Sequence, residues 1–289
     1  MKYEITGTTK LTALLGSPVA HSISPQMHNE AFRQLGLDYV YLAFDVTPDT
    51  LKDAVSGLKA AGICGFNLTM PLKVHILPLL DEITPAAKLA GAVNTVMVKD
   101  HRLIGHTTDG AGYMRSVSDA GYNIIGRKMT LLGGGGAAAA ICVQAALDGV
   151  ASIDMFKRKN ASWDKTMDFC MRTASETGCK IRLLDFNDTA LLAESIAESA
   201  ILTNATSLGM APEMNVSPIL DPSILHEDLI VSDIIYNPRE TLLMKQAKER
   251  GCPCFNGLYM LLYQGAAAFT CWTGAEMPVD LIKKKFFKS

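Results

Sequence analysis

The stretch Met129-Thr130-Leu131-Leu132-Gly133-Gly134-Gly135-Gly136-Ala137-Ala138 decides the fold of this chain. The compact apolar run Met129–Leu132 reads as a strand, and Ala137–Leu147 reads as the helix that follows. Between them the glycines spell G-x-G-x-x-A, with Gly133 first, Gly135 second and Ala138 as the small closing residue. Glycine lets a strand turn sharply and lets backbone N–H groups approach a pyrophosphate. The small residue lets the helix pack close to the strand and aim its N-terminal dipole at the anion. A further strand is predicted at Ala151–Phe156, which ends about 20 residues on, where a dinucleotide-binding unit needs it. Gly133, Gly134, Gly135, Gly136 and Ala137 are therefore candidate cofactor-binding residues.

The tip of that second strand reads Phe156-Lys157-Arg158-Lys159-Asn160. An NAD site usually places an acid there for the ribose hydroxyls. Here the acid is missing; Asp154 lies earlier in the strand and is expected to face outward. Three consecutive cations suit a 2′-phosphate, with Arg158 able to grip it bidentately, or form a solvated loop. The cofactor is expected to be NADP or NAD, with the basic tip leaning toward NADP.

Outward from this point, apolar runs alternate with amphipathic stretches, which is the pattern of an α/β chain with parallel sheets. On the C-terminal side strands are expected at Lys180–Asp185, Ala200–Asn204 and Leu229–Asp233. The helices between and after them are Trp163–Thr177, Thr189–Ser199 and Arg239–Arg250. This is a βαβ series of Rossmann type. Helices at Leu258–Thr273 and Val279–Phe287 close the chain. On the N-terminal side the expected strands are Thr12–Leu15, Tyr39–Val46, Gly65–Thr69 and Ala92–Lys99. Helices are expected at Pro25–Leu35 and Thr50–Ala61, with a short one at Val74–Leu80 and another beginning near Asp109. Two regions follow, the first ending near Asp109–Tyr113 and the second opening at Arg127.

Composition sets the outer limits. With 27 basic and 29 acidic side chains the formal charge is −2, so no basic field grips nucleic acid. An apolar fraction of 48% is globular, not disordered. No apolar run reaches the ~18 residues of a membrane span, and the opening stretch from Met1 lacks a leader's apolar block. A cytoplasmic protein, monomer or homodimer, binding a small molecule is the expectation. The seven cysteines read as reduced thiols and the six histidines form no metal-ligand pair, so no metal is expected. Lys283-Lys284-Lys285 reads as a solvated helix end.

The N-terminal half carries polar clusters at strand ends and turns, where α/β proteins bind ligands. They are His21-Ser22-Ile23-Ser24-Pro25, Asn67-Leu68-Thr69-Met70-Pro71-Leu72-Lys73, Gly91-Ala92-Val93-Asn94-Thr95 and Thr107-Thr108-Asp109-Gly110. Ser24 has the character of an N-cap and Pro25 that of a first helical residue, so the two serines of this helix start either only cap the helix or also offer a natural carboxylate site.

Read in order, these clusters resemble the shikimate dehydrogenase family. The match continues through the glycine turn, Asn204-Ala205-Thr206-Ser207-Leu208-Gly209-Met210, Tyr236-Asn237-Pro238, and Gly257 to Ala266 with its Met260-Leu261 and Gln264-Gly265. The spelling from His21 to His28 and the run Phe269–Gly274 are most similar to the quinate/shikimate branch. The resemblance implies a reversible hydride transfer between NAD(P) and C3 of a shikimate-type ring, with quinate as a second ring acid. It implies that Lys73 and Asp109 act together on the reacting hydroxyl. Ser22 and Ser24 would clamp the carboxylate with Tyr41 added, while Thr69, Asn94 and Gln264 would contact the ring hydroxyls. For the cofactor it adds the Lys157–Asn160 loop, Thr206 with Ser207, Ile234 and Tyr236 near the nicotinamide, and Gly257 with Met260. The resemblance further implies that the C-terminal helices return to the first domain, giving residues 1–113 with 258–289 for the substrate and residues 114–257 for the nucleotide. Thr107, Lys157 and Asn160 depart from the family's usual residues. Two alternatives stand beside this reading: a dehydrogenase of aminoshikimate or another cyclic polyol, and a non-catalytic sensor of a ring acid.

Overall fold

The computed structural model describes residues 4–287. Met1–Tyr3, the head of the stretch read for a leader, and Lys288–Ser289 lie outside the described residues. The chain clusters into two compact units, one running up to Gly112 and resuming at Leu262, the other Tyr113–Leu261.

In the first unit the order is β1 (Lys10–Gly16), α1 (Ser24–Leu35), β2 (Tyr39–Asp45), α2 (Leu51–Ala60), β3 (Gly65–Leu68), α3 (Leu72–His75) and β4 (Glu82–Ile83), then α4 (Pro85–Ala90), β5 (Thr95–Lys99) and β6 (Arg102–His106). The strands form one six-stranded sheet in the order β2-β1-β3-β5-β6-β4. β1 pairs in parallel with β2 and β3, and β5 runs antiparallel to both β3 and β6. The reversal at β5 comes from Asp100 and His101, both at positive φ (50° and 60°), which make a two-residue hairpin turn without glycine. On one face Leu15, Val55, Phe66, Leu68, Leu72, Val93 and Val96 form a buried cluster. On the other, His28 stacks on Tyr41 at 4.4 Å, and Phe32 on Phe269 at 5.0 Å. Both ring nitrogens of His28 are buried without a hydrogen-bond partner, and burial pushes its pKa down to about 3, so the ring packs as a neutral aromatic.

The second unit follows the helix α5 (Asp109–Asp119), in which the chain leaves the first. Its elements are β7 (Lys128–Leu132), α6 (Gly136–Leu147), β8 (Ser152–Lys157), α7 (Trp163–Thr177), β9 (Lys180–Asp185) and α8 (Thr189–Glu198), then β10 (Ile201–Asn204), β11 (Ile230–Asp233), α9 (Leu242–Glu249) and β12 (Cys254–Asn256). The strand order is β12-β11-β10-β7-β8-β9, and every pairing is parallel. The order reverses direction at β7 and β10, the switch point of a doubly wound sheet, where ligands bind outside the carboxyl ends of the strands. α6 is buried on most of its faces, from Ala138 to Ala146, as a helix lying over the middle of such a sheet must be. α10 (Leu258–Thr273) carries the chain back to the first unit, and α11 (Val279–Phe286) ends it.

Several local expectations are corrected. Ser24 is not an N-cap: it lies inside α1, and its backbone N–H donates to Ser22 Oγ at 3.2 Å. The predicted helix Val74–Leu80 is α3 followed by a 3₁₀ turn at Leu77–Leu79, because Pro78 interrupts the helical hydrogen bonds. The strand predicted from Ala92 begins at Thr95. The lysine cluster is not wholly solvated, since Lys285 pairs with Glu30 at 2.9 Å. The largest correction is Asp154, which faces inward. It is buried beneath α8, with Arg182 donating to both its oxygens, Lys128 at 2.9 Å and Ser195 Oγ at 2.7 Å. All seven cysteines are free thiols, four of them buried. Among the described residues no group of three metal-binding side chains converges, and no helix is long and apolar enough to cross a membrane.

Candidate active site and nucleotide pocket

In the first unit, the end of β3 and the short α3 present Lys73, and the β5–β6 hairpin brings Asn94 and Thr95 beside His106–Asp109. Lys73 Nζ meets Asp109 Oδ2 at 2.5 Å, with the lysine a quarter exposed and the aspartate buried. Asp109 Oδ1 accepts from Asn94 Nδ2 at 3.0 Å. Asn94 also donates to Thr108 Oγ1 at 2.9 Å and lies 3.3 Å from Gln264 Oε1. Its own Oδ1 accepts the Thr108 backbone N–H at 2.7 Å. That backbone donor fixes which way the Asn94 amide points, so its NH₂ faces the carboxylate. The arrangement is an ammonium and a carboxylate in contact, open to solvent on the lysine side and clamped on the aspartate side. Such a pair holds and relays a proton at one atom, Lys73 Nζ.

Of the other predicted substrate residues, Ser22 and Ser24 share one hydrogen bond at the start of α1. Thr69 packs its methyl on Gly16, where a Cβ would stand 2.2 Å away; only glycine fits this close approach. Tyr41, expected as an added carboxylate contact, supports Asn67 in this structure. It is wholly buried, with its hydroxyl donating to Asn67 Oδ1 at 2.8 Å.

In the second unit a pocket of about 360 Å³ opens at the switch point. Gly133, Gly134 and Gly135 line it with Lys157, Arg158, Asn160, Thr206 and Ser207. Gly133 takes φ +120°, and a Cβ there would stand 2.8 Å from the carbonyl oxygen of Ala205. Gly135 meets nothing within 4 Å, so the first turn of α6 faces open space. The stem of Lys157 packs on Gly134, and its ammonium donates to Asn160 Oδ1 at 2.6 Å and Ser162 Oγ at 2.9 Å. Lys159 turns to Asp185 at 3.8 Å and lies over the Trp163 ring. Arg158 is left as the exposed cation on the pocket wall. Across the pocket, Thr206 N and Oγ1 donate to Asn204 Oδ1, and Asn204 Nδ2 donates to Asp233. Burial pushes the Asp233 pKa up to about 6 despite hydrogen bonds from Thr241, Ile235 and Asn204. Open glycine N–H groups, a helix N-terminus and a free guanidinium fit a dinucleotide with its phosphates. Ile234, Tyr236, Gly257 and Met260 are not among the residues lining this pocket. Gly257 instead lies against the Ile234 carbonyl, where a Cβ would be 1.8 Å from the oxygen.

Comparison with known proteins places this geometry. Residues 14–96 match the model of the shikimate dehydrogenase substrate binding domain, and residues 257–285 that of the shikimate 5′-dehydrogenase C-terminal domain. A shikimate dehydrogenase (NADP(+)) of Listeria monocytogenes serotype 4b (strain F2365) is 51% identical over 98% of this chain and 97% of its own. The chain belongs to the shikimate dehydrogenase family. It is an α/β oxidoreductase of that family, as the glycine turn and the ordered motifs predict. The crystal structure of shikimate 5-dehydrogenase from Listeria monocytogenes in complex with shikimate and NAD superposes with a TM-score of 0.93. It is 50% identical and covers 98% of both chains. At greater distance, quinate dehydrogenase from Corynebacterium glutamicum in complex with NAD gives a TM-score of 0.85 at 28% identity, covering 96% of this chain and 99% of that one.

Three buried residues that organise the site were not singled out from sequence: Asn67, Thr95 and Thr108. Asn67 and Thr95 stand inside motifs whose other members were named. Their two-residue offset from Thr69 and their adjacency to Asn94 were the available signals.

Proposed function

We propose that this chain oxidises shikimate to 3-dehydroshikimate reversibly at ring C3, with NADP as its preferred cofactor and NAD accepted, in the cytoplasm. The observation that carries the reading is the Lys73–Asp109 pair with Asn94 on the carboxylate, in a chain of this family. The first unit binds the ring acid and the second the nucleotide. Ser22 and Ser24 hold the carboxylate at the start of α1, and Thr69, Asn94 and Gln264 meet the ring hydroxyls. In the second unit Gly133–Ala137 and Thr206–Ser207 hold the pyrophosphate side, while Ile234, Tyr236, Gly257 and Met260 lie toward the nicotinamide. When bound, the nicotinamide supplies or accepts the hydride.

The chain's own part is the proton. In the reducing direction, Lys73 Nζ–H protonates the oxygen that was the ketone, and Asp109 holds the amine in place throughout. Lysine then regains a proton from solvent along its exposed side. In the oxidising direction the same proton leaves the hydroxyl by the reverse path.

Initial rates with shikimate and with quinate, each against NADP and NAD, test this. Shikimate with NADP is expected to give the highest kcat/KM of the four. A higher kcat/KM on quinate, or no activity in any pair, overturns the reading. Arg158→Ala tests the nucleotide side separately. Losing a charge-assisted grip on the 2′-phosphate should raise KM for NADP by about 10–100-fold and leave NAD nearly unchanged. Equal losses with both cofactors would remove Arg158 from that role.

A further inference from the structure

Behind the Lys73–Asp109 pair runs a buried chain of hydrogen bonds whose direction is fixed from Tyr41 as far as Thr95. The Tyr41 hydroxyl donates to Asn67 Oδ1 at 2.8 Å, which turns the Asn67 amide so that its NH₂ faces the hairpin. That NH₂ donates to the Asn94 carbonyl at 3.1 Å and to Thr95 Oγ1 at 2.9 Å. Thr95 Oγ1, having accepted, has one proton to pass on. Its neighbours are Thr108 Oγ1 at 3.1 Å and Asn94 Oδ1 at 3.4 Å. Thr108 and Asn94 are the two groups joined to each other and, through Asn94 Nδ2, to Asp109. Tyr41, Asn67, Asn94, Thr95 and Thr108 are all buried, so none of these bonds is readily replaced by water.

We propose that Thr95 is a positioning residue for the reaction: its hydroxyl, with that of Thr108 beside it, fixes the Asn94 side chain that holds Asp109 against Lys73. The inference rests on the dehydrogenase reading of the same site and adds a residue to it. Thr95 does not touch Lys73 or Asp109 in the structure; it acts through Asn94. A valine at this position keeps the shape and deletes the hydroxyl. The Asn67 NH₂ then loses an acceptor, and the Asn94 amide is held on fewer sides. A serine keeps the hydroxyl and deletes a buried methyl. A packing role therefore makes serine the more harmful change, whereas a positioning role makes valine the more harmful one.

The test compares Thr95→Val and Thr95→Ser with wild type for kcat, KM for shikimate and melting temperature. Thr95→Val is expected to lower kcat by about tenfold or more with KM moving much less, since small misplacements at a reacting centre are costly in rate. Thr95→Ser should keep kcat within about threefold, because the hydrogen bond that orients Asn94 remains. Tyr41→Phe, which removes the first donor of the chain at a distance from the hairpin, should lower kcat several-fold in the same direction; it also decides the case if the valine variant does not fold. Thr95→Val with normal kcat, or losses in both Thr95 variants that track their melting temperatures, would overturn the proposal while leaving the dehydrogenase reading intact. A wild type without shikimate activity would overturn that reading and this inference with it.

Discussion

Lys73→Met is expected to lower kcat for shikimate oxidation by about 10²–10⁴, the range a positioned proton-transfer group supplies. Shikimate binding should change far less, because the carboxylate and ring contacts proposed for Ser22, Ser24 and Thr69 stay in place. The substitution keeps the length of the stem and removes the ammonium that pairs with Asp109 on a side chain a quarter exposed. Asp109 keeps its bond from Asn94, so the variant should fold. Single-turnover rates with saturating shikimate and NADP measure the step directly. A variant within tenfold of wild type would show that the proton moves without Lys73 and would sink the mechanism.

The second large effect is on stability. Asp154→Ala should cost the fold about 3 kcal/mol, as breaking a buried ion pair by removing one partner does. Asp154 lies in one row across the sheet with Thr130 and Arg182, and that row meets Ser195 of α8. Removing it strips Arg182 of its bidentate partner and leaves Ser195 without its acceptor, while Lys128 retains Glu198. In a chain of this size the melting temperature should fall by about 6–12 °C. The effect has a defined pH window. Burial raises the Asp154 pKa, but hydrogen bonds from Arg182, Lys128 and Ser195 outweigh it and hold it at about 2, below the ordinary 3.8. A depressed carboxylate stabilises the fold above its unfolded pKa and loses that contribution as pH falls through the folded value. The gap between wild type and Asp154→Ala should be full at pH 5–7 and narrow between about pH 4 and 2. A gap that stays constant across that window would mean packing, and not charge, is lost.

Long elements with clear punctuation were legible in the sequence. The helices Trp163–Thr177 and Leu258–Thr273 end where they were predicted, the first because Gly178 adopts the left-handed conformation that stops it. Elements whose existence depends on a distant partner were not. β4 has two residues and β12 three, too few for any periodicity, and β6 follows a hairpin turn with no glycine to announce it. The same division runs through the site. Lys73, Asp109, Asn94 and Gln264 could be named because a family motif carries them, and the structure brings them together. The inward turn of Asp154, the clamp made by Lys157 and the Tyr41–Asn67–Thr95 chain depend on sheet register and on what lies across it. Sequence alone shows Lys157, Arg158 and Lys159 as three consecutive cations, with only Arg158 set apart by its bidentate guanidinium. The fold gives them three different jobs, one tied to Asn160, one to Asp185 and one free on the pocket wall.

The division of the first unit into two pieces of chain has a consequence for how the molecule is made. Phe269 and Trp272 complete the aromatic layer around His28, Phe32 and Tyr41, and Trp272 Nε1 donates to the Val96 carbonyl. Both residues are translated after the whole of Tyr113–Leu261. On a ribosome, the sheet of the first unit therefore waits with the α1 face incompletely covered while the contiguous unit that carries Gly133 emerges and can close on its own. The half of the molecule that begins first is the half that finishes last.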